Sequence, residues 1–257
     1  MPGQPAGERK NMDKKDILSR VDHTLLSQTA TWEEIRQILD DGIKYGCASA
    51  CIPACYVKQA AEYVDGKLPI CTVIGFPNGY HTTATKIFET RDAVANGADE
   101  IDIVLNVGKM LEGHYDEVAN EVEVIRTEMS PEVVLKVIIE SGALKTPDLI
   151  RKASLLPMFA GADFVKTSTG KIDVSATPEA AVVMCQAIRD YYRKTGRKVG
   201  FKPAGGVRSA EDAALYYTIV EEILGKEWLT PELFRIGASS AANNLLTAIE
   251  GREVKFF

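Results

Sequence analysis

The sequence predicts an α/β protein with a single domain, a barrel of eight parallel strands that alternate with helices. The first observation is the length of 257 residues, the usual size of one such barrel. The second is a regular alternation of short apolar runs with amphipathic segments, which is the pattern of repeated strand–helix units. The third is the number of apolar runs, which is eight. We therefore expect one (β/α)8 domain, a TIM barrel, over residues 12–257.

The first residues do not fit this pattern. Residues 1–11, MPGQPAGERKN, are polar, rich in Pro and Gly, and without periodicity. Such a segment lacks the apolar surface that would order it in a core. We predict that residues 1–11 are a disordered leader or an extension added for expression.

Eight segments have the composition of buried strands, with apolar runs bounded by turn residues. The predicted strands are 21–25, 48–52, 71–76, 100–105, 133–140, 163–167, 199–202 and 234–237. An open, doubly wound sheet has the same local pattern and stays an alternative. No GxGxxG follows the first strand, which weakens that alternative.

The intervals between the strands carry signals for helix starts. Thr31 and Glu34 have the spacing of a capping box. Thr-Pro pairs beginning at Thr146, Thr177 and Thr230 each place an N-cap residue before a proline at the first helical position. The sequence therefore predicts a helix after each of these signals.

Charge and hydropathy limit the partners. The chain has 30 basic and 36 acidic side chains, a formal net charge of −6, and no block of Lys and Arg. No stretch approaches the roughly 20 apolar residues that cross a bilayer, and the N-terminus lacks the apolar core of a signal peptide. We predict a soluble cytoplasmic protein with neither a nucleic-acid nor a membrane partner.

Cysteine and histidine do not form a recognisable metal motif. The five cysteines are odd in number, which favours free thiols in a reducing compartment. We predict that the cluster Cys47, Cys51 and Cys55 consists of buried packing residues. The three histidines show neither HxH nor HExxH spacing, and we interpret His23 as a packed or hydrogen-bonded residue of the first strand. No metal site is predicted.

Charged residues occur in strands that should be apolar on both faces. The alternation in EIDIVL directs Glu100 and Asp102 toward the barrel axis while the isoleucines face the helices. The same count on the next three strands directs further residues inward: Lys136, Glu140, Lys166 and Lys202.

An isolated buried charge costs several kcal/mol or becomes neutral, so these residues are expected to compensate one another. A set of one Asp and three Lys also suits an amine nucleophile, because neighbouring ammonium groups and desolvation favour the free amine. The alternative is a structural cluster of salt bridges inside the barrel.

Glycine-rich loops follow the last strands. The segments PAGGVR after strand seven and GASS after strand eight occupy the usual phosphate site of such barrels, and Gly170 and Lys171 lie on the neighbouring loop. A phosphorylated small-molecule substrate is indicated. The glycines alone would also fit simple turns into helices.

Six segments resemble, in order, the signature segments of the deoxyribose-phosphate aldolase family. They are DHTLL (22–26), EIDIVLNVG (100–108), LKVIIESG (135–142), GADFVKTSTGK (161–171), VGFKPAGGVR (199–208) and FRIGASS (234–240). The resemblance implies reversible cleavage of 2-deoxy-D-ribose 5-phosphate to D-glyceraldehyde 3-phosphate and acetaldehyde, with no metal or organic cofactor. It also implies a homodimer.

The resemblance assigns roles that the alternation of residues leaves open. Lys166 corresponds to the Schiff-base lysine, Lys202 to the lysine that tunes it, and Asp102 to the acid/base carboxylate. Asp22 and Thr24 belong to the supporting network, in which we include Lys136. The implied phosphate-binding residues are Gly170, Lys171, Gly205, Gly206, Arg208, Gly237, Ser239 and Ser240.

One difference and two alternatives accompany this hypothesis. Some family members end in a tyrosine that assists a proton transfer, whereas this chain ends in Phe257. One alternative is another lysine-dependent barrel enzyme, an aldolase or decarboxylase acting on a different sugar phosphate. The other is a catalytically silent sugar-phosphate-binding protein, against which the lysine pair and Asp102 argue.

Overall fold

The computed structural model describes residues 17–207, 209–238 and 244. Strands and helices alternate along this part of the chain, and the predicted leader, residues 1–11, lies outside it. The strands are β1 (Val21–Thr24), β2 (Ser49–Ile52), β3 (Ile70–Ile74), β4 (Glu100–Val104), β5 (Val134–Ile138), β6 (Phe164–Lys166), β7 (Gly200–Lys202) and β8 (Ile236–Ala238). All eight predicted strands are present, with ends that differ from the prediction by one or two residues at most positions.

Helices cover the outside of the strands. The α-helices of the described residues are α1 (Trp32–Tyr45), α2 (Val57–Val64), α3 (Thr83–Ala95), α4 (Val107–Glu112), α5 (Tyr115–Thr127), α6 (Ser141–Leu144), α7 (Pro147–Phe159), α8 (Pro178–Thr195) and α9 (Ala210–Leu224). Short 3-10 helices occupy Ala54–Tyr56 and Lys226–Trp228. None of the helices described is long and apolar enough to cross a membrane.

The strands form one parallel sheet that curves into a nearly closed barrel. Its order is β7-β6-β5-β4-β3-β2-β1-β8, so consecutive strands are neighbours from β1 to β7 and β8 pairs with β1. Parallel bridges Phe201↔Phe234 and Ala204↔Gly237 bring β7 to the β8 segment and complete the circle. This arrangement confirms the predicted single-domain TIM barrel and excludes an open doubly wound sheet.

The alternation of residues in the strands separates an apolar layer from a polar interior. Ile101 and Ile103 of β4 are fully buried in the hydrophobic core, as are Leu135 and Val137 of β5. Each such side chain contributes about 1.5–3 kcal/mol when it is removed from water. The residues between them, including Asp102, face the barrel axis. The apolar layer therefore fixes the register that brings the charged residues together.

Most of the predicted helix starts are confirmed. Thr31 caps α1 in a complete capping box, and Thr146 and Thr177 cap α7 and α8 ahead of a proline. The helix predicted at Thr230-Pro231 is wrong. The amides of Leu233 and Phe234 both bond the Thr230 carbonyl, which makes a tight turn, because Phe234 already bridges to β7 three residues after the proline.

The prediction for the cysteine cluster is partly wrong. Cys47 and Cys51 are buried as expected, but Cys55 is exposed because it lies in the 3-10 helix Ala54–Tyr56, outside the strand. The five cysteines are free thiols. His23 is fully buried in β1, in agreement with its interpretation as a packed strand residue.

Candidate active site

A single carboxylate, that of Asp102 on β4, receives three lysines from three other strands. Its Oδ2 atom lies 2.7 Å from the Nζ atoms of both Lys166 and Lys202, and its Oδ1 atom lies 2.9 Å from Nζ of Lys136. Asp102, Lys136 and Lys202 are completely buried, and Lys166 is 4% exposed. The structure thus brings together Asp102 and the three lysines, four of the six residues that the strand alternation directed inward.

A second layer of charges lies toward the amino-terminal ends of the strands. Arg235 Nη1 is 2.6 Å from Asp22 Oδ1, and its Nη2 is 2.8 Å from Glu100 Oε1. Glu100 also contacts Lys136 at 2.6 Å, and Asp22 contacts Lys202 at 2.5 Å. A continuous chain of ion pairs therefore runs from Arg235 up to the lysines around Asp102.

The strand register separates the lysines along the barrel axis. Lys166 and Lys202 are direct partners and are the last residues of β6 and β7. Lys136 pairs with Phe164, two residues before Lys166, and lies beside Asp102 in the β4–β5 register. Lys136 is consequently deep inside the barrel, whereas Lys166 lies at its carboxyl-terminal mouth.

Ion pairing overrides desolvation in this cluster. Burial by itself would raise the pKa of Asp102, but Lys136, Lys166 and Lys202 hold that pKa well below its usual value. Burial would likewise lower the pKa of Lys202, yet Asp102 and Asp22 raise it. The pKa of Lys136 is raised for the same reason, by Asp102 and Glu100 among its neighbours. The carboxylate and these two lysines therefore stay charged.

The net charge of the cluster depends on how many of its lysines are protonated. The directly ion-paired groups are three carboxylates, from Asp22, Glu100 and Asp102, and four cations, from Arg235 and the three lysines. The cluster is therefore neutral when one lysine is a free amine. Lys136 and Lys202 each contact at least two of the carboxylates, whereas Lys166 contacts Asp102 alone.

A cavity of about 730 Å³ opens above Lys166 at the mouth of the barrel. Of the three interior lysines, Lys166 is the one that lines it. Five of the predicted phosphate-binding residues also line the cavity: Gly170, Lys171, Gly205, Gly206 and Gly237. Arg208, Ser239 and Ser240 lie outside the described residues.

The glycines allow two loops to approach closely. Gly205 has φ +72°, and an added Cβ would lie 2.7 Å from Ser175 Oγ and 2.9 Å from Gly170 Cα. A Cβ on Gly237 would lie 2.7 Å from Ala204 Cβ. These positions require glycine for close packing beside the cavity, so they do more than open a helix.

The loop after β7 leads directly into a capped helix. Ser209 caps α9, and its hydroxyl accepts from the amide of Asp212. A helix N-terminus beside a glycine-rich loop favours an anion, because free amides and the helix dipole point toward it. Lys171 adds a cation at the cavity wall, and its Nζ atom donates to the Leu26 carbonyl at 3.1 Å.

The two predicted supporting residues of β1 have different positions. Asp22 is fully buried within the charge network and also accepts a hydrogen bond of 2.8 Å from Ser49 Oγ. Thr24 lines the cavity, and its hydroxyl donates to the backbone carbonyl of Asp22 at 2.8 Å. Thr24 therefore contributes to the cavity wall and does not contact the interior carboxylates through its hydroxyl.

Two thiols flank Asp102. Cys71 Sγ lies 3.3 Å from both Asp102 Oδ1 and Lys136 Nζ, and Cys51 is its partner in the β2–β3 register. The hydrogen bond between the thiols lowers the pKa of Cys51, and burial raises that of Cys71. The two sulfur atoms and an Asp102 oxygen lie within 4.8 Å of one another. Because three lysine side chains already contact Asp102, the set suits a hydrogen-bonded network better than a divalent cation.

Several members of the network were not singled out from the sequence as site residues: Arg235, Glu100, Cys71 and Ser49. The alternation had turned Glu100 inward without a role. The signal for Arg235 was present too, since a charge between Phe234 and Ile236 in an apolar strand must face the axis. Cys71 and Ser49 carry no charge, and small polar side chains give no comparable signal in a strand.

Comparison with known proteins agrees with this geometry. Residues 16–227 match the DeoC/LacD family aldolases. The chain is 50% identical over 214 residues to the deoxyribose-phosphate aldolase of Streptococcus pyogenes serotype M5, which covers 83% of this chain and 92% of that protein.

Solved structures show the same fold at lower identity. The tetrameric deoxyribose phosphate aldolase from Aeropyrum pernix has a TM-score of 0.75 and 28% identity, with 92% of each chain covered. A structure from Coccidioides immitis, provisionally assigned the same activity, has a TM-score of 0.80 and 30% identity, and covers 93% of this chain and 87% of its own. The chain belongs to the DeoC/LacD family of aldolases, which confirms the resemblance of its motifs and makes it a carbon–carbon lyase.

Proposed function

We propose that this chain cleaves 2-deoxy-D-ribose 5-phosphate reversibly to D-glyceraldehyde 3-phosphate and acetaldehyde, through a Schiff base on Lys166. The observation that carries the proposal is the position of Lys166, which joins the interior charge cluster to a cavity walled by glycine loops and Lys171. The name of the curated S. pyogenes relative supports the same substrate.

Charge balance favours Lys166 over Lys202 as the nucleophile. Lys202 lies between the carboxylates of Asp22 and Asp102 and does not line the cavity. Loss of its proton would therefore remove a cation from both carboxylates. Loss of a proton from Lys166 leaves the cluster neutral, with Asp102 still bonded to Lys136 and Lys202. The free amine then points toward the substrate.

The reaction begins when the Lys166 amine attacks the C1 aldehyde of the open-chain sugar. Loss of water from the carbinolamine, assisted by Asp102, gives an iminium ion. Asp102, through a water molecule, then takes the proton of the C3 hydroxyl as the C2–C3 bond breaks. The bond electrons move to the iminium and leave an enamine, and D-glyceraldehyde 3-phosphate departs. Protonation of C2 and hydrolysis release acetaldehyde and restore Lys166.

The glycine-rich loops beside the cavity position the substrate by binding its phosphate. In the proposed complex the phosphate is held by amides of the loops containing Gly170, Gly205 and Gly206, near the start of α9 and the charge of Lys171. Binding at this remote group fixes C1 against Lys166, and such proximity lowers the barrier of the covalent step. No metal or organic cofactor takes part in the proposed reaction.

Trapping with borohydride tests the nucleophile. The protein is incubated with acetaldehyde, reduced with sodium borohydride, and mapped by mass spectrometry. We expect an N-ethyl group on Lys166, none in Lys166→Met, and an unchanged adduct in the control Lys58→Met on the exposed side of α2. An adduct on Lys202 with none on Lys166 would reject the proposed mechanism.

A coupled assay tests the substrate. Deoxyribose 5-phosphate is supplied as the substrate, and alcohol dehydrogenase reduces the acetaldehyde that is released. The loss of NADH absorbance measures this reduction. A flat trace together with a normal acetaldehyde adduct would indicate that the substrate is another sugar phosphate. Absence of both signals would favour a silent binding protein.

Two further properties are proposed on family grounds. We propose that the protein acts in the cytoplasm and assembles as a homodimer. Light scattering after gel filtration tests the assembly, and a mass of one chain or of four chains would contradict the dimer. The A. pernix relative, which is tetrameric, shows that barrels of this family form larger assemblies.

A further inference from the structure

Glu140 occupies an unusual position between β5 and α6. Its backbone has φ 53° and ψ 59°, in the left-handed region that side chains other than glycine seldom adopt. Its neighbours keep the sheet intact on both sides, since the amide of Ile139 bonds the Lys166 carbonyl and the amide of Ser141 bonds the Thr167 carbonyl. An unfavourable backbone held this firmly at the mouth of the barrel calls for a role for the side chain.

The Glu140 carboxylate is directed to one residue of the cavity wall. Its Oε1 atom accepts from the Thr169 amide at 3.2 Å, and its Oε2 atom accepts from the Thr169 hydroxyl at 2.5 Å. The same hydroxyl accepts from the amide of Lys171 at 3.1 Å. Glu140, which is 5% exposed, therefore anchors the segment from Thr169 to Lys171 from below.

That segment forms part of the site for the sugar phosphate. Thr169, Gly170 and Lys171 all line the cavity beside Lys166. Gly170 has φ +76°, and its Cα is packed against Gly205, so this segment also sets the distance to the loop after β7. An error in the position of Thr169 would therefore be passed to both phosphate-binding loops.

We propose that Glu140 is a positioning residue, which sets the affinity for the phosphorylated substrate by fixing the Thr169–Lys171 segment through its two hydrogen bonds. The proposal rests on the proposed function for the identity of the substrate. The left-handed backbone of Glu140 serves this purpose, because it turns the side chain from the strand toward the β6 loop.

A competing account assigns the role to the charge of Glu140. Burial raises the pKa of this carboxyl group, while the hydrogen bonds of Thr169 and the nearby charge of Lys166 oppose that shift. A carboxylate near Lys166 would also stabilise an iminium ion. The two accounts differ in what a neutral side chain of the same shape would do.

The variants Glu140→Gln and Glu140→Asn separate these accounts. Gln keeps the length, accepts from the Thr169 amide through its oxygen, and donates to the Thr169 hydroxyl through its nitrogen. Asn has the same chemistry and tolerates the left-handed backbone, but it is one methylene shorter and does not reach Thr169. The control is Glu132→Asn, which removes an exposed carboxylate that bonds Ser130 ahead of β5, at its opposite end.

Steady-state kinetics with deoxyribose 5-phosphate give the first measurement. We expect KM to rise about tenfold in Glu140→Asn, the effect of losing hydrogen bonds to a charged group, with kcat changed much less. Glu140→Gln and Glu132→Asn should stay within about twofold of the wild type. Equal impairment of the Gln and Asn variants, or a fall in kcat alone, would overturn the positioning role in favour of the charge.

Hydrogen exchange of the Thr169 and Lys171 amides, without substrate, gives a second measurement. Both amides should exchange faster in Glu140→Asn and at the wild-type rate in Glu140→Gln, while thermal unfolding verifies that each variant is folded. Thr169→Val, which removes the acceptor of the Lys171 amide, should speed exchange of Lys171 if Glu140→Asn does not fold. Unchanged exchange would reject the proposal, and the result does not depend on the sugar that is turned over. Exchange that follows this pattern in a protein inactive toward deoxyribose 5-phosphate would instead place the failure in the proposed function.

Discussion

Charged groups at the two ends of the barrel interior differ in their number of ion-pair partners. At the amino-terminal end, Arg235, Glu100 and Lys136 are buried and each contacts at least two groups of opposite sign. At the carboxyl-terminal end, Lys166 contacts one carboxylate of the described part of the chain and faces an open cavity. One continuous network therefore holds groups with several ion-pair partners at one end and, at the other, the lysine that we propose as the nucleophile, which has fewer partners.

The amino-terminal end of the barrel interior, which we call the sealed end, acts on the carboxyl-terminal end, the open end, through Asp102. Removing charges from water is costly, and a buried ion pair seldom stabilises a fold better than apolar residues of the same size. The network holds the pKa of Asp102 low, and it keeps the pKa of Lys202 high. We infer that the barrel accepts this cost because an ionised carboxylate beside Lys166 is needed for catalysis.

The sharpest test of the comparison replaces one lysine at a time. Lys166→Met should lower kcat by a factor of roughly 10⁴ or more, since the covalent path is lost, with a stability change under about 1 kcal/mol. Lys202→Met should destabilise by about 3 kcal/mol, because Asp22 and Asp102 both lose a cation. Urea unfolding and the coupled assay measure both effects. Equal losses of stability would break the distinction between the two ends.

A substitution at the sealed end should act mainly on stability. Arg235→Met leaves Asp22 and Glu100 without their shared cation, and we expect a loss of about 3–5 kcal/mol in the free energy of unfolding. Adding Glu100→Gln should recover part of this loss, because one unpaired charge is removed. A loss below about 1 kcal/mol would show that Lys136 and Lys202 suffice for these carboxylates.

The pH dependence of stability distinguishes the two faces of β1. Asp22 faces the interior. Burial by itself would raise the pKa of Asp22, but Lys202 and Arg235 outweigh burial and lower it. His23 lies on the opposite face, where burial lowers its pKa from 6.5 to about 4. The unfolded chain binds a proton at His23 near pH 6.5 and the folded protein near pH 4. Stability from the neutral ring is thus complete above pH 6.5 and declines as the pH falls toward 4, by about 3 kcal/mol.

Urea unfolding between pH 4 and pH 7 measures this decline. His23→Gln should flatten the curve in that window, whereas the contribution of Asp22 is lost only below about pH 4, under its unfolded pKa. An unchanged slope in the variant would assign the decline to another group.

The smallest expected effect concerns the loops of the open end. Both Gly205 and Gly206 have positive φ, so alanine costs about 1–2 kcal/mol of backbone strain at either position. Among the residues that the structure describes, a Cβ at Gly206 meets nothing closer than 3.9 Å, whereas one at Gly205 clashes with Ser175 and Gly170. Gly205→Ala should therefore raise KM for the sugar phosphate several-fold more than Gly206→Ala does. Equal KM values would show that the close approach of the loops is dispensable.

The fold and the charged part of the site could be predicted from sequence because they follow from simple periodicity. A period of two in β4 to β7 is enough to direct Asp102, Lys136, Lys166 and Lys202 inward, and barrel closure then brings them together. The tight turn after Thr230 was missed because a Thr-Pro pair favours helices and turns alike, and the distance to β8 decides between them.

Finer features depend on three-dimensional contacts. Nothing in the sequence shows that Glu140 adopts a left-handed backbone, since its conformation is imposed by bonds to the β6 loop. The position of Thr24 at the cavity wall depends similarly on where β1 ends. Choosing Lys166 over Lys202 required either the family motifs or the count of carboxylate contacts, because both lysines end their strands in the same register.

The oxygen that Lys166 and Lys202 share has a consequence for the order of proton transfers. An ammonium group has three N–H donors, a neutral amine has two, and an iminium nitrogen linked to carbon has at most one. In the proposed mechanism, formation of the Schiff base therefore leaves Lys166 at most one N–H for Asp102 Oδ2, while Lys202 keeps its own hydrogen bond to that atom. The one N–H that remains fixes the plane of the iminium ion relative to the carboxylate that takes the C3 hydroxyl proton. Covalent capture of the aldehyde would thus itself orient the substrate for the next step.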